Sequence, residues 1–162
     1  MAALYTGRGD GGFTDTITQR GISKADPLIC LIGTIDEAAA ALGLAKASLP
    51  RGGEIAADIN RLLQLLSLLM GELAGGETVA NAQLLSELER KTDGYKTEFD
   101  GFSVPGENLP SAHLNMARCI VRRAERIAAE LLPQNRISPD AAAVLNRLSD
   151  LIYAMSRCAE KI

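Results

Sequence analysis

Apolar residues recur at helical spacing along most of this chain, and the breaks between them fall at prolines and glycines. The stretch "DPLICLIGTIDEAAAALGLAKASL" (26–49) opens on Asp-Pro and carries Leu28, Ile32, Ile35, Ala39 and Leu42 at helical intervals, before Pro50-Arg51-Gly52-Gly53 closes it. A second helix is predicted over 54–74, "EIAADINRLLQLLSLLMGELA". Its Leu62 to Met70 stretch is apolar almost all round, as in a helix covered on several sides, either at the bundle's centre or at a contact between subunits. After Gly75-Gly76 the pattern predicts a third helix in "VANAQLLSELERKTDGYKTEF", then a linker over 100–110 broken by two glycines and two prolines. Two more helices follow, "SAHLNMARCIVRRAERIAAELL" and, after the Pro133 to Pro139 turn, "DAAAVLNRLSDLIYAMSRCAEKI". No alternating β-pattern competes with this reading. The predicted architecture is all-α, an up-and-down five-helix bundle in a single domain over 1–162, preceded by a glycine-rich N-terminal loop.

That loop, "YTGRGDGGFTDT" (5–16), joins four glycines to an arginine, two aspartates and three threonines. Glycines let backbone N–H groups turn toward a ligand, the arginine adds positive charge, and threonine hydroxyls donate to oxyanions, so the stretch has the makings of a phosphate cradle. It is not a Walker A loop, because G-x-x-x-x-G-K-[ST] occurs nowhere in the chain. Taken alone, it reads equally as a tail of ordinary turn residues. Its glycine content predicts a segment that orders only over a bound anion.

Composition narrows the choices. The 162 residues are 47% hydrophobic, enough for one packed domain. A net charge of −3 offers no general attraction for nucleic acid or anionic lipid, so any anion site is local. The uninterrupted apolar stretches fall short of the ~18–20 residues that span a bilayer. With no signal-peptide pattern at the N-terminus, a cytoplasmic protein without membrane association is expected. Cys30, Cys119 and Cys158 form no C-x-x-C pair and read as small buried helix residues. With one histidine, His113, and no Glu-x-x-His, no metal site built from protein ligands alone is expected.

Three polar features resist a packing explanation. Arg118, Arg122 and Glu125 recur at i, i+4 and i+7 on one stripe of the fourth helix, beside Arg123 and Arg126. One glutamate does not neutralise that stripe, so its partner is either an external anion or solvent and ordinary ion pairs. Asp36 falls on the stripe of Ile29, Ile32, Ala40 and Gly43, a carboxylate on an apolar side that calls for a cation. Asn146, Arg147 and Asp150 share one turn of the last helix, a spacing that also suits a plain surface network.

"YTGRGD" with "GGFTDT", "SKAD" followed by "GTIDE" and "LGLAKA", Phe102-x-x-Pro105-Gly106, "RCIVRRAER" and "LNRLSDLIYAMSR" together resemble the PduO-type ATP:cob(I)alamin adenosyltransferases. The resemblance runs from about residue 4 to residue 159, with "VRRAER" and "LNRLSD" its most specific parts. It implies a homotrimer of five-helix bundles that binds ATP, with Mg²⁺ held mainly by the nucleotide, and cobalamin as substrate between neighbouring subunits. By position, the N-terminal loop over 1–25 is the nucleotide loop, with Thr6, Gly7, Arg8, Gly9, Thr14 and Asp15 wrapping the triphosphate and Lys24 reaching it. Arg122, Arg123, Ala124, Glu125, Arg126 and Asn146 match the remaining nucleotide contacts. Arg118 and Asp36 match an ion pair shaping the interface site, and Arg122 and Phe102 complete the catalytic set. Phe102 matches the aromatic on the lower corrinoid face, which keeps the tail base off the cobalt.

The implied reaction moves the 5′-deoxyadenosyl group of ATP to cob(I)alamin and releases triphosphate. Cob(I)alamin is itself a strong nucleophile, so the protein needs no Ser-His-Asp set; it holds the 5′-carbon in line and stabilises the leaving triphosphate. A flavoprotein reductase and a cobalamin-dependent acceptor enzyme are the implied protein partners. One departure stands in the opening loop: the family usually has lysine directly after Tyr-Thr, whereas here Gly7 stands there and the cation follows at Arg8. Two readings follow, an active adenosyltransferase with arginine as the substitute, or a non-catalytic corrinoid-binding escort with the same trimeric bundle. A plain helical interaction protein would leave the Arg118, Arg122 and Glu125 stripe without a reason.

Overall fold

Short polar side chains set most of the helix starts. The computed structural model describes residues 5–95 and 104–162. Helix α1 (Pro27–Ser48) begins where the Asp26 carboxylate accepts the Leu28 N–H at 2.8 Å. After a turn through Gly52, at φ +82, α2 runs Glu54–Leu73. Asn81 caps α3 (Ala82–Gly94) by accepting from Leu84 N–H at 2.9 Å. That cap corrects the expected start at Val79. A capping box of Asn108 and Ser111 starts α4 (Leu109–Leu131) two residues before the expected Ser111, because proline is tolerated in the first helical turn. A 3₁₀ turn at Leu132–Gln134 ends on left-handed Asn135, and Ser138 caps α5 (Pro139–Ala159).

Among the described residues these are the five helices, and each runs antiparallel to the one before it. Contacts at the two ends fix the directions. At one end Arg136 meets Asp26 (2.7 Å) and the Ser138 hydroxyl approaches Glu72 (3.4 Å). At the other, Ser48 meets His113 Nδ1 (3.2 Å) and the Asn108 amide donates to the Ala159 carbonyl (2.7 Å). Helix α1 packs on α2 and α4, α4 on α5, and α5 on α3. The core between them is aliphatic, with Leu31, Ile35, Leu42, Leu66, Leu114, Leu148 and Ile152 almost wholly removed from water.

Four expectations need correction. Helix α1, at 22 residues, is long and apolar enough to cross a membrane by length and composition. Glycine, alanine and threonine interleave its larger residues, so no unbroken run announces this; here Leu31, Ile35 and Leu42 face the bundle core. In α2, Leu62, Leu66 and Leu69 are buried but Leu68 is 56% exposed, so within the chain that helix is covered on one side and does not lie at the bundle's centre. Cys30 and Cys119 are exposed and Cys158 half-buried, since the core positions of their helices are held by leucine, isoleucine and alanine. The N-terminal loop, finally, is not left without structure. Its strands β1 (Phe13–Thr14) and β2 (Ile22–Ser23) pair antiparallel, Phe13 with Ser23 and Thr14 with Ile22. Strands of two residues are too short to show any alternation in sequence.

One buried charge ties α2 to α3. Asp58, 3% exposed, accepts from Lys91 (2.8 Å), Arg61 (2.9 Å) and the Tyr95 hydroxyl (2.5 Å). Burial alone would raise its carboxyl, but the hydrogen bonds from Lys91 and Tyr95 and the charges of Lys91 and Arg61 outweigh that and hold it below its ordinary value. Burial and the same carboxylate push the Tyr95 phenol upward. With its folded pKa depressed, Asp58 contributes stability above the unfolded carboxylate value of about 3.9, and that contribution is lost as pH falls through the folded value. Tyr95→Phe is expected to cost about 1.5–3 kcal/mol in urea unfolding at pH 7. The difference from the parent should shrink as the pH drops below about 4; a difference independent of pH would detach Tyr95 from the Asp58 charge.

Candidate functional site

The N-terminal hairpin is built on glycines at positive φ. Gly7 (φ +69) opens a turn closed by Asp10 N–H on the Gly7 carbonyl at 3.2 Å, and Gly12 (φ +83) accepts at its carbonyl from Lys24 N–H at 2.9 Å. Lys24 folds over the loop. A Cβ added at Gly9 would lie 2.8 Å from the Lys24 ammonium nitrogen, so the end of the lysine side chain lies directly against the Gly9 backbone. The structure thus brings Gly9 and Lys24 together, two residues the sequence reading grouped.

Asp15 holds the hairpin's far end. Its carboxylate accepts from Gly21 N–H (2.9 Å) and Arg20 (3.2 Å). The Gly21 amide first, then Arg20 and the charge of Arg8, keep it below the usual carboxylate range despite opposing desolvation. Thr14 is half-buried in the strand pair, while Thr6 and Arg8 are exposed.

Hairpin and bundle meet at residues the sequence reading passed over. Ile17 N–H donates to the Ala74 carbonyl at 3.0 Å, at the end of α2. Gly75, at φ +94, lies so close to Thr18 that a Cβ there would come within 2.3 Å of its hydroxyl oxygen, and Gly76 abuts Ile17. The signal was present as Gly75-Gly76, read as a helix stop only. On the other side Asp26 receives Arg136 while capping α1 with the same Oδ1.

Helix α4 carries the basic face. Arg122, Arg123 and Arg126 are exposed; Arg123 pairs with Glu37 of α1, and Arg126 donates to the Arg122 carbonyl at 3.4 Å. Glu125 turns aside from that face and accepts from the Asn146 amide of α5 at 2.7 Å. Ala124 is wholly buried, so its side chain belongs to the core. Arg118 is half-buried, donates to Asn115 Oδ1 at 3.3 Å and lies 5.7 Å from the Tyr153 ring centroid. Asp36 is exposed and does not meet Arg118 within the chain. The core stripe of α1 is Leu28, Leu31, Ile35, Ala38, Leu42 and Ala45, about 100° per residue away from Asp36 at its Ile35 neighbour. Asp36 shares the outward stripe with Ile29, Ile32, Ala40 and Gly43. Arg147, by contrast, bridges to Asp150 (2.9 Å) and Glu89 (3.3 Å), the plain surface network. Phe102 lies outside the described residues.

A helical bundle with a glycine hairpin over a lysine and a row of outward arginines is chemically suited to a polyphosphate. The cobalamin adenosyltransferase profile matches residues 4–159, and the chain belongs to that family. It is 31% identical to the corrinoid adenosyltransferase of Citrobacter freundii, over 99% of this chain and 96% of that one. It is 33% identical to the corrinoid adenosyltransferase of Bacillus subtilis, over 95% of this chain and 84% of the relative. Among solved structures it superposes with a TM-score of 0.88 on a phenylalanine-to-alanine variant of the PduO-type ATP:corrinoid adenosyltransferase from Lactobacillus reuteri complexed with cobalamin and ATP. That pair is 27% identical, covering 98% of this chain and 94% of the other.

The seam between hairpin and α2 is open to test. Gly75→Ala forces a side chain into the left-handed region against Thr18 and is expected to cost about 1–3 kcal/mol in urea unfolding. Hydrogen exchange should then quicken at the Ile17 amide, and unchanged protection there would mean the hairpin does not depend on this contact.

Proposed function

We propose that this chain transfers the 5′-deoxyadenosyl group of ATP to cob(I)alamin at sites completed by a second copy of itself. The transfer is the reaction named for its relatives, and the observation that carries the shared site is the pair of incomplete partners on its surface. Arg118 has no carboxylate within hydrogen-bond reach among the described residues, and Asp36 stands exposed on a stripe of apolar residues. Each supplies what the other lacks. A homotrimer places Asp36 of one subunit against Arg118 of the next and covers Ile29, Ile32 and 54%-exposed Leu44.

In this reading the single domain works from both ends. Residues 1–25 form the nucleotide loop, in which Thr6, Gly7, Arg8, Gly9 and Thr14 surround the triphosphate and Lys24 neutralises it. Asp15 acts there by holding Arg20 and Gly21, so the hairpin keeps its shape. Arg122 and Arg126 present free donors to the departing phosphates, while Arg123 and Asn146 fix the face through Glu37 and Glu125. Phe102 covers the lower corrinoid face. Mg²⁺ travels with the nucleotide, because the ion prefers phosphate and water oxygens to a cage of protein ligands. A flavoprotein reductase delivers the electrons, a cobalamin-dependent enzyme takes the product, and the compartment is the cytoplasm.

Arg8 stands for the lysine usual one place earlier. Its charge already reaches Asp15, and a guanidinium spans the extra residue. Arg8→Ala is expected to weaken ATP binding by about 1.5–3 kcal/mol by calorimetry, with Gly7→Lys in that background recovering part of the loss. Unaltered ATP affinity would remove Arg8 from the site. An anaerobic assay with ATP and reduced cobalamin tests the reaction itself. Light scattering at micromolar concentration tests the assembly: a trimeric mass is expected, and Arg118→Ala should lower both turnover and trimer stability, on the order of 3 kcal/mol in total. A monomeric mass in the parent protein would overturn the shared site.

A further inference from the structure

A cleft of about 690 Å³ lies between the end of α1 and the start of α2, meeting the outward stripe of α1 at Gly43 only. Leu49, Pro50 and Leu63 give it apolar lining, Lys46 and Arg51 give it charge, and no acidic residue lines it. Both cations are exposed, and neither engages a carboxylate among the described residues. They share that state with Arg8, Lys24, Arg90, Arg118, Arg122, Arg126 and Lys161, whereas Arg20, Arg61, Lys91, Arg123, Arg136 and Arg147 are paired; what sets Lys46 and Arg51 apart is that both line one cleft. Lys46 stands in the last turn of α1, where a cation complements the helix dipole, but Arg51 lies beyond the helix and gains nothing from that field.

Position decides which ligand fits. The nucleotide hairpin adjoins the opposite end of α1, and at 1.5 Å per residue Lys46 stands roughly 29 Å along the helix from its first residue. That is beyond the reach of phosphates held by Lys24. Lys46 is roughly 15 Å along α1 from Asp36. Of the two substrates, the corrinoid has an anionic group of its own, the phosphodiester in the tail that carries its base. Resting on the adenosyl-transfer reading, we infer that this cleft receives that tail, with Lys46 and Arg51 on the phosphodiester and the apolar lining against the base. ATP and the tail are thereby bound at opposite ends of one helix, and corrinoids are distinguished by whether they carry the phosphate.

The test compares cob(II)alamin with cob(II)inamide, which lacks phosphate and base, by anaerobic calorimetry at saturating ATP. In the Lys46→Ala, Arg51→Ala double variant the Kd for cob(II)alamin should rise about tenfold, the size of two charge contacts in an open cleft. The Kd for cob(II)inamide should stay within about twofold of the parent value, and the charge-retaining Lys46→Arg, Arg51→Lys variant should bind cob(II)alamin as the parent does. Equal losses for the two corrinoids, or no loss for either, would overturn the assignment. Failure of the parent protein itself to bind either corrinoid would instead overturn the adenosyl-transfer reading, and this inference with it.

Discussion

A helix that is apolar on two faces buries only one of them inside a single bundle. Helix α1 is such a helix: Leu31, Ile35 and Leu42 fill the core, while Ile29, Ile32, Ala40, Gly43 and Leu44 are left on or near the surface. Removing the second face from water at about 25 cal/mol per Å² is a strong drive to association. The only acidic residues in α1, Asp36 and Glu37, sit together at its middle. Glu37 is satisfied within the chain by Arg123, and Asp36 is not. A carboxylate at the centre of an apolar contact fixes register, because every displaced arrangement strands it. In the proposed homotrimer, register and site geometry would then both follow from one helix.

The electrostatics follow a similar division. The chain as a whole is acidic, yet α4 exposes Arg122, Arg123 and Arg126 within five consecutive positions. Their neighbours do not cancel them. Glu125, the one acid among them, is drawn toward Asn146 on α5, and Glu37 takes Arg123 alone. Two guanidinium groups so placed repel each other through water until an anion arrives, which makes the unliganded surface less stable and the liganded one more so. A net negative charge disfavours nonspecific polyanions, while the local surplus is where the proposed nucleotide phosphates would be met.

The helices were legible in sequence because their apolar spacing is long and their stops are glycine and proline. What sequence did not reveal was the direction each apolar stripe faces. With Ile35 and Asp36 adjacent and apolar residues on both sides, periodicity could not tell the core stripe of α1 from its outer one. Leu68 and the cysteines were misplaced for the same reason: apolar type says that a residue tolerates burial, and neighbouring helices decide whether it gets it. Gly9 lies against Lys24 and Glu125 accepts from Asn146, contacts across distant parts of the chain that no local pattern encodes; the sequence placed these residues together only through their expected role at the nucleotide.

The two halves of the N-terminal hairpin are held unequally. Residues 13–23 are held from within by the strand pair and Asp15, and from outside by Ala74 and Gly75. Residues 5–12 have two turn hydrogen bonds and little burial, with Arg8 exposed at their centre. A loop ordered throughout would offer no change on binding, and one without any fixed root would lose too much entropy when it closed. If the loop closes over the triphosphate as proposed, rooting the second half leaves only about eight residues to settle, roughly 8–16 kcal/mol of backbone entropy at most, and the Gly7 and Gly9 turns already fix part of that. Glycine raises that cost at each position it occupies, and at Gly7 and Gly12 it is what allows the positive φ on which the loop turns.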